Sequence, residues 1–348
     1  MVPQTAATAS NRRRAPLATP VIDALIGANY GTGLIQKMVE WGITAGNWTA
    51  GGVQNEYTHS SVAAMVNMER FRWIVDEVRD LAVVIELAQD LESAFADGKY
   101  GLIMGFQGAE PIGSEFNLLS IFARLGLRIL GLTYNDRNLV GDGCMEPEGR
   151  GLTHFGIEIV RECNRVGVVV DLSHACERTS LDAIQTSSQP CILSHSNPAA
   201  LMPNPRNVSD HLLKELAAGG GVVGLAAWSN FVGSTEDGHH PNRGDLVRQI
   251  DYVVNTIGID HVGIGSDIYI GMDHAAEWNN TTRRRYPEQC GGQTWERHNI
   301  AGYEDNSAMF SVGEELSALG YKDADIAKIL GGNFYRLLLE VLPRRRLM

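Results

Sequence analysis

The sequence has no long hydrophobic run, no basic excess and no paired-cysteine spacing, and each absence disfavours a class of protein. No stretch of 18 or more apolar residues is present, so no segment is predicted to span a bilayer. The formal net charge is −12, whereas a nucleic-acid-binding surface requires a basic face. The five cysteines show no C-x-x-C spacing, which disfavours a disulfide framework and a cysteine zinc site and favours a reducing compartment.

The N-terminal segment lacks the apolar region that a secretory signal needs. It contains the basic cluster "NRRR", but no hydrophobic stretch follows it. We therefore expect residues 1–18 to form a disordered N-terminal arm. We also expect a cytoplasmic protein that has neither a membrane nor a nucleic acid as its partner.

The sequence does contain a regular alternation of short apolar runs and longer amphipathic segments. Eight apolar runs are nearly continuous, as is typical of parallel strands that helices cover on both faces. They are residues 19–27, 42–48, 101–108, 127–135, 167–174, 190–196, 221–228 and 261–267. Helical patterns lie between the runs, and two of these patterns end in a glycine before the next strand, which is a common helix stop signal.

This alternation predicts an α/β fold, a (β/α)₈ TIM barrel, as one domain over residues 19–348. A doubly wound open sheet is the alternative. Its first strand would lead into a phosphate-binding glycine turn, but "ALIGANYGTG" does not have the required glycine spacing. The segment at about 268–308, which follows the last predicted strand, is long for a connection, and we interpret it as an insertion that forms a flap over the active site.

Polar side chains stand where the predicted strands end. In a (β/α)₈ barrel, the functional groups lie at the carboxyl ends of the strands. The candidates are Gln107, Tyr134, Asn135, His174, His195, Trp228 and Asp267. Two histidines and an aspartate among them suit metal binding or acid–base catalysis, although a single histidine is more often a hydrogen-bonded core residue. We expect most of the other histidines, including His298, to be solvated.

Three of these strands resemble the signature strands of a known family. "VVVDLSHACE", "ILSHSNPAALMPNPRNVSD" and "VGIGSD" look like the renal (membrane) dipeptidases of the amidohydrolase superfamily. "GLTHFGIEIVRECNRVGVVVDLSH" and "ILGGNFYRLLLEVL" are similar as well, so the resemblance covers about residues 19–342. It implies a (β/α)₈ barrel, a homodimer, and the cleavage of small dipeptides with two bridged zinc ions.

The resemblance assigns roles to four residues. His174 and His195 match the two histidine ligands of the family's second zinc ion. Asp267 matches the aspartate that handles the nucleophilic water and the substrate amine. Arg206, in "NPRNV", matches the arginine that holds the substrate carboxylate, and a planar guanidinium suits that contact. We therefore expect a small-molecule substrate that carries a carboxylate.

Other positions depart from the family pattern. The first strand reads "VIDALIG", so Leu25 and Gly27 stand where the family has a histidine and an aspartate that bind the first zinc ion. Gln107 replaces the bridging glutamate, and a neutral amide cannot neutralise and bridge two cations. Tyr134 replaces a substrate-contacting histidine, and Trp228 stands where a tyrosine is common. Two bridged zinc ions are therefore not expected.

Two other carboxylates could compensate for the lost zinc ligands. Asp23 has the same strand parity as positions 25 and 27, which would point it inward but one layer deeper. Glu110 is the better candidate, because it lies on the predicted loop just after Gln107, but the favoured interpretation of Glu110 is a flap or surface residue.

Three hypotheses for the function follow. The favoured one is a metal-free enzyme whose acid and base groups are His174, His195, Asp267 and Tyr134. Its substrate contacts would be Arg206, Gln107, Trp228 and Asn135. The second is a hydrolase with one divalent metal ion, zinc, on His174 and His195, completed by Asp267, Gln107 or Glu110. The third is a non-catalytic protein that uses the same scaffold to bind a ligand or a partner.

Overall fold

The computed structural model describes residues 19–28, 30–53, 59–270 and 275–346. The predicted N-terminal arm therefore lies outside the described residues. The described part contains ten strands: β1 (Ile22–Ala28), β2 (Ala45–Gly51), β3 (Ala82–Val84), β4 (Tyr100–Phe106), β5 (Leu127–Gly131), β6 (Val169–Asp171), β7 (Ile192–Leu193), β8 (Val222–Leu225), β9 (Val262–Ile264) and β10 (Tyr269–Ile270). The five cysteines are all unpaired.

Eight of these strands, β1, β2 and β4 to β9, form a closed parallel barrel. They pair in chain order, and Asp23 of β1 pairs with Ile264 of β9 to close the ring. Each of the eight predicted apolar runs overlaps one barrel strand, so the predicted (β/α)₈ fold is confirmed. The two remaining strands were not predicted: β3 pairs with the first residues of β4, and β10 pairs with the end of β1.

Helices follow most of the strands and cover the outside of the barrel. They are α1 (Thr32–Trp41), α2 (Ser61–Glu77), α3 (Ala88–Asp97), α4 (Asn117–Arg124), α5 (His154–Val166), α6 (Glu177–Thr186), α7 (Asp210–Ala218), α8 (Ser229–Val232), α9 (Arg243–Ile257), α10 (Ala275–Asn280), α11 (Thr282–Arg285), α12 (Pro287–Cys290), α13 (Ala308–Ala318), α14 (Asp323–Ala327) and α15 (Asn333–Val341). Ser60, Thr153 and Ser209 cap α2, α5 and α7 by accepting a backbone N–H of the first turn. None of the described helices has the length and apolar character needed to cross a membrane.

The barrel interior is closed at the amino-terminal end of the strands by an apolar layer. The strand residues of this layer are Ile103, Ile129, Val169, Ile192 and Val222, and they pack in one cluster with Phe334 and Leu337 of α15. Burying these large side chains supplies a substantial part of the driving force for folding. Packing in this layer also supports the residues that lie further along each strand.

The next layer is narrow and contains polar groups. Each residue of this layer lies two positions after a residue of the apolar layer on the same strand, and therefore on the same face. These residues are Gly105, Gly131, Asp171, Ser194 and Gly224. A Cβ atom at Gly131 would lie 2.3 Å from the Gln107 carbonyl oxygen, and one at Gly224 would lie 2.3 Å from the Ser194 carbonyl oxygen. Glycine is therefore required at both positions, and the close packing fixes the strand ends that carry the polar side chains.

Candidate active site

The predicted site residues stand at the carboxyl ends of the barrel strands. Gln107 directly follows β4, His174 follows β6 by three residues, and His195 follows β7 by two. Asp267 follows β9 by three residues. Because neighbouring parallel strands end at the same rim of the barrel, these four positions face one region.

His174 and His195 are in direct contact. Their Nε2 atoms are 2.9 Å apart, and their ring centroids are 4.9 Å apart. The Oε1 atom of Gln107 lies 3.1 Å from His174 Nε2, and the Gln107 amide donates to Thr49 Oγ1 at 2.9 Å. Burial lowers the pKa of both imidazoles well below the usual range, and the Arg206 guanidinium lowers both further. Both rings are therefore neutral at neutral pH.

His195 is oriented from behind by a buried carboxylate. Its Nδ1 atom lies 2.7 Å from Ser194 Oγ, and the Ser194 hydroxyl donates to Asp171 Oδ2 at 2.5 Å. Ser173 Oγ and the Ser194 amide donate to Asp171 Oδ1 at 2.7 and 2.9 Å. Because the Ser194 hydrogen is committed to Asp171, Ser194 Oγ accepts a hydrogen from His195 Nδ1. The lone pair of His195 Nε2 then faces His174.

Asp171, Ser173 and Ser194 were not among the predicted site residues. The sequence did contain a signal for the two serines. Both histidine-bearing strands end in the same triplet, Leu-Ser-His, at residues 172–174 and 193–195. A polar residue that precedes each histidine in an otherwise apolar strand indicates a partner for that histidine.

His174 is held by Asn135 and Tyr134, both of which were predicted site residues. Its Nδ1 atom lies 2.8 Å from Asn135 Oδ1, and the Tyr134 ring stacks on the imidazole with centroids 4.1 Å apart. Asn135 has a φ of 62°, a left-handed conformation that asparagine tolerates better than most residues. Burial raises the pKa of Tyr134 above its ordinary value, so its phenol keeps its proton.

The Arg206 guanidinium lies against the two imidazoles. Its Nη1 donates to the Ser173 carbonyl oxygen, while Nη2 lies 3.3 Å from the His195 carbonyl oxygen and 3.4 Å from His174 Nε2. The guanidinium also lies over the Phe231 ring, 5.3 Å from its centroid. Arg206 is only 1% exposed, and its Nε has no partner among the described residues. The site therefore contains a buried cation.

Arg206 also forms one wall of a cavity of about 180 Å³. Other residues that line this cavity are Cys144, Cys176, Glu177 and Asn207. The Oδ1 atom of Asn207 is buried and, among the described residues, lacks a hydrogen-bond donor. Unpartnered polar groups of this kind can be satisfied by water or by a polar ligand.

Asp267 is the acidic group of the site. It has a φ of 53°, and its amide donates to the Leu25 carbonyl oxygen at 3.0 Å. Burial raises the pKa of Asp267 to about 7, the Arg206 guanidinium opposes this rise, and the Asp23 charge adds to it. At neutral pH the Asp267 carboxyl is therefore poised between its two protonation states, which is the property of an acid–base catalyst.

Asp23 does not reach the histidines. Its carboxylate accepts the Ser266 amide at 2.8 Å and the Ser266 hydroxyl at 2.5 Å, and it also accepts from Asn306 Nδ2. Asp23 therefore joins β1 to the end of β9. Strand parity predicted an inward-facing Asp23 one layer deeper than positions 25 and 27, but the register shift between Asp23 and Ile26 breaks simple alternation in this strand.

The side chains at this site do not fit two bridged metal ions. Leu25 and Gly27 have no ligating side-chain atom, and Gln107 supplies a neutral oxygen. Glu110 Oε1 accepts from Asn138 Nδ2 at 3.1 Å, while its Oε2 is buried without a hydrogen-bond partner among the described residues, and neither oxygen bonds to the two histidines. Across the described ranges, there is no group of three or more histidine, cysteine, aspartate or glutamate residues that could hold a metal ion. A bridged zinc pair needs more ligands and more negative charge than this.

Trp228 lies in an aromatic cluster that also contains Phe231, the ring over which the Arg206 guanidinium lies. The cluster consists of Trp228, Phe231, Tyr269, Trp278, Trp295 and His298. Trp295 stacks on His298 with centroids 4.2 Å apart, and His298 is 9% exposed. His298 is an exception to the expectation that most of the other histidines are solvated, because Trp228 and Tyr269, which are distant in the sequence, also contact its ring. Burial lowers its pKa below the usual range.

The predicted flap contacts the rim of the barrel through Gln289 of α12. The Gln289 side chain accepts from Asn135 Nδ2 at 3.2 Å. The backbone carbonyl oxygen of Gln289 accepts hydrogen bonds from the side-chain amides of Asn204 and Asn230 at 3.0 and 2.8 Å. Because Asn135 also bonds to His174, the flap segment is two hydrogen bonds away from the imidazole pair.

Comparison with known proteins shows which curated proteins the chain resembles. Dipeptidase tcpJ of Claviceps purpurea is 32% identical over 272 residues, which is 77% of this chain and 57% of that protein. Dipeptidase aclJ of Aspergillus oryzae is 29% identical over 294 residues, which is 83% of this chain and 63% of that protein. The chain thus spans about three-fifths of the length of these relatives.

Solved structures share the fold over nearly the whole chain. An amidohydrolase from Pseudomonas aeruginosa has a TM-score of 0.84 and 32% identity, covering 93% of this chain and 97% of that one. A metallo peptidase from Rhodobacter sphaeroides, liganded with a phosphinate mimic of the dipeptide L-Ala-D-Ala, has a TM-score of 0.75 and 25% identity, covering 93% of this chain and 99% of that one. The family model described as "Membrane dipeptidase (Peptidase family M19)" matches residues 29–288. The chain therefore belongs to the membrane dipeptidase family.

Proposed function

We propose that this chain is a dipeptidase-family enzyme that acts on a small carboxylate-bearing substrate with its own acid–base groups in place of two zinc ions. The observation that carries the proposal is the contact between the His174 and His195 imidazoles, 2.9 Å apart, beside the buried Arg206 guanidinium. This arrangement combines a proton acceptor with a binding group for a carboxylate. It does not supply the charge that two zinc ions require.

Each group has a distinct role in this proposal. His174 and His195 are neutral and fixed in orientation, so they can accept a proton from the substrate or from water and return it to the leaving group. Asp267, with a pKa of about 7, is the second base. Tyr134 donates a hydrogen bond to the reacting oxygen. The substrate contacts are Arg206, Gln107, Asn135 and Trp228.

A second candidate is a hydrolase with a single divalent metal ion on His174 and His195. It is favoured by the oxygen atoms that back both rings, 2.8 Å from His174 Nδ1 and 2.7 Å from His195 Nδ1. Metal-bound histidines commonly have such a partner. Gln107 Oε1 would be a third, neutral ligand at this position.

The test is turnover with and without a chelator. Purified protein is assayed against dipeptides and N-acyl amino acids before and after treatment with 1,10-phenanthroline. We expect activity on at least one of these carboxylates to survive the chelator and to fall about a hundredfold or more in His174→Ala. Loss of all activity in the chelator would favour the single-metal hydrolase. Full activity in both His174→Ala and Asp267→Ala would contradict both candidates, because neither residue would then take part in catalysis.

Two expectations concern the whole protein. We infer that it forms a homodimer in the cytoplasm, which follows from the family resemblance and from the sequence composition. Light scattering on the purified protein tests the oligomeric state, and cell fractionation tests the location.

A further inference from the structure

Three acceptor atoms lie together at the barrel mouth, where His174 Nε2 contacts both His195 Nε2 and Gln107 Oε1. His195 Nδ1 donates to Ser194, and His174 Nδ1 faces the carbonyl oxygen of the Asn135 amide. In this arrangement neither Nε2 atom carries a hydrogen, and the two lone pairs face each other across 2.9 Å. Gln107 Oε1 lies 3.1 Å from His174 Nε2 and adds a third acceptor. Such a cluster is stable only if a positive group lies beside it.

Arg206 is that positive group. Its Nη2 lies 3.4 Å from His174 Nε2 and has a hydrogen to donate. Two carbonyl oxygens, those of Ser173 and His195, hold the guanidinium in place, and the Phe231 ring covers it. The carbonyls belong to the same strand ends as the histidines, so the cation and the imidazoles are fixed by one set of elements.

The site has lost charge that a metal ion would need. The three positions that carry ligands of the first zinc ion in the family are Leu25, Gly27 and Gln107, all neutral. The Asp171 carboxylate lies behind His195 and is already held by Ser173 and Ser194. The other two charged groups described for the site are one cation, Arg206, and one carboxyl group, Asp267. A divalent ion placed beside the guanidinium would be repelled, and Asp267 alone is a weak compensation for it.

We propose that the Arg206 guanidinium, held against the His174 imidazole, supplies to the imidazole pair the positive charge that a metal ion would supply, so that this chain carries a fixed organic cation in place of an exchangeable one. This inference rests on the metal-free form of the proposed function. Arg206 then has two tasks. Its Nη2 stabilises the lone pair of His174 Nε2, and its remaining N–H groups, including the unpartnered Nε, attract the developing negative charge on a substrate oxygen.

The experiment restores a metal site and asks whether Arg206 excludes the ion. Gln107→Glu supplies a carboxylate ligand, and Arg206→Met removes the charge while keeping most of the side-chain volume. Zinc affinity is measured by calorimetric titration without substrate. We expect Gln107→Glu alone to bind zinc at least about a hundredfold more weakly than the Gln107→Glu/Arg206→Met double variant. We expect the double variant to bind about one ion per chain.

A matched pair of controls identifies the cause. Gln107→Glu/Arg206→Lys keeps a cation and should bind zinc as weakly as Gln107→Glu alone. Adding His195→Ala to the double variant should abolish binding. Thermal unfolding followed by circular dichroism verifies that each variant is folded.

Two outcomes would overturn the inference. One is equal zinc affinity in Gln107→Glu and in the double variant, because Arg206 would then not compete with the ion. The other is a folded double variant that binds no zinc, because the imidazole lone pairs would then not converge. The titration needs no substrate, so failure to find turnover refutes the proposed function without affecting this result.

Discussion

Asp171 reaches His195 through a single hydroxyl group, that of Ser194. The two hydrogen bonds measure 2.5 Å from Ser194 Oγ to Asp171 Oδ2 and 2.7 Å from Ser194 Oγ to His195 Nδ1. The carboxylate therefore acts on the imidazole without touching it. This relationship fixes which nitrogen of His195 carries the proton.

Ser194→Ala should lower kcat/KM by about ten- to a hundredfold, because His195 loses the group that orients it. Ser194→Thr keeps the hydroxyl and should recover most of the activity. Steady-state kinetics of the two variants measures the effect, with KM expected to change little. Equal losses in both variants would mean that packing at this position matters and the hydroxyl does not.

Asp267 should determine the pH dependence of the reaction. Its pKa of about 7 means that the carboxylate form, which is the basic form, grows as the pH rises through neutrality. We therefore expect kcat/KM to increase from pH 5 to pH 8 with an apparent pKa near 7. Asp267→Asn should lower the rate and remove this limb. If Asp267→Asn kept the same pH profile, the rise of kcat/KM with pH would belong to the ionisation of another group.

Asp23 should make the free energy of unfolding depend on pH. Burial raises its pKa from 3.8 to about 7 in the folded protein, so the folded state holds a proton that the unfolded chain releases. Its contribution to stability is complete below pH 4 and is lost as the pH rises towards 7, by up to about 1.4 kcal/mol per pH unit. Chemical denaturation of Asp23→Asn and wild type at several pH values measures this difference.

The expected sign is that wild type loses stability relative to Asp23→Asn as the pH rises. Above pH 7 the difference between the two proteins should become constant, because Asp23 is then ionised in both states. A difference that stays constant between pH 4 and pH 8 would show that Asp23 is ionised throughout in the folded protein.

Gln289→Ala should loosen the flap segment. The variant removes the side-chain hydrogen bond to Asn135, worth about 1 kcal/mol, and thereby raises the open population about fivefold. Limited trypsin digestion at Arg283, Arg284 and Arg285 measures this open population, and we expect faster cleavage in the variant than in the wild type. Glu288→Ala, at an exposed position of the same helix, is the control and should leave the rate unchanged. Equal rates for both variants would mean that the Gln289 side chain does not hold the segment.

Most of the barrel could be predicted because its strands are continuous apolar runs. β3 escaped because it follows the amphipathic pattern of α2 closely, and β10 escaped because it lies in the segment that was interpreted as a flap. Their pairing depends on β4 and β1, which are supplied from elsewhere in the chain. The burial of His298 also escaped, because Trp228 and Tyr269, which contact its ring, are brought to it only by the fold.

The imidazole pair could be predicted because the carboxyl ends of parallel strands lie at one rim of the barrel. The contacts that each side chain of the site makes could not be predicted from the sequence. Arg206 was predicted to bind a carboxylate, but its 3.4 Å approach to His174 Nε2 depends on a loop conformation that no local pattern encodes. Asp171 and Asp23 are both aspartates in apolar strands, yet one backs a histidine and the other joins two strands.

The most direct test of the central claim is the zinc content of the purified, untreated protein, measured by elemental analysis together with turnover. We predict much less than one zinc ion per chain in protein that turns over a carboxylate substrate. A content of one or two zinc ions per chain, removed together with the activity by a chelator, would contradict it.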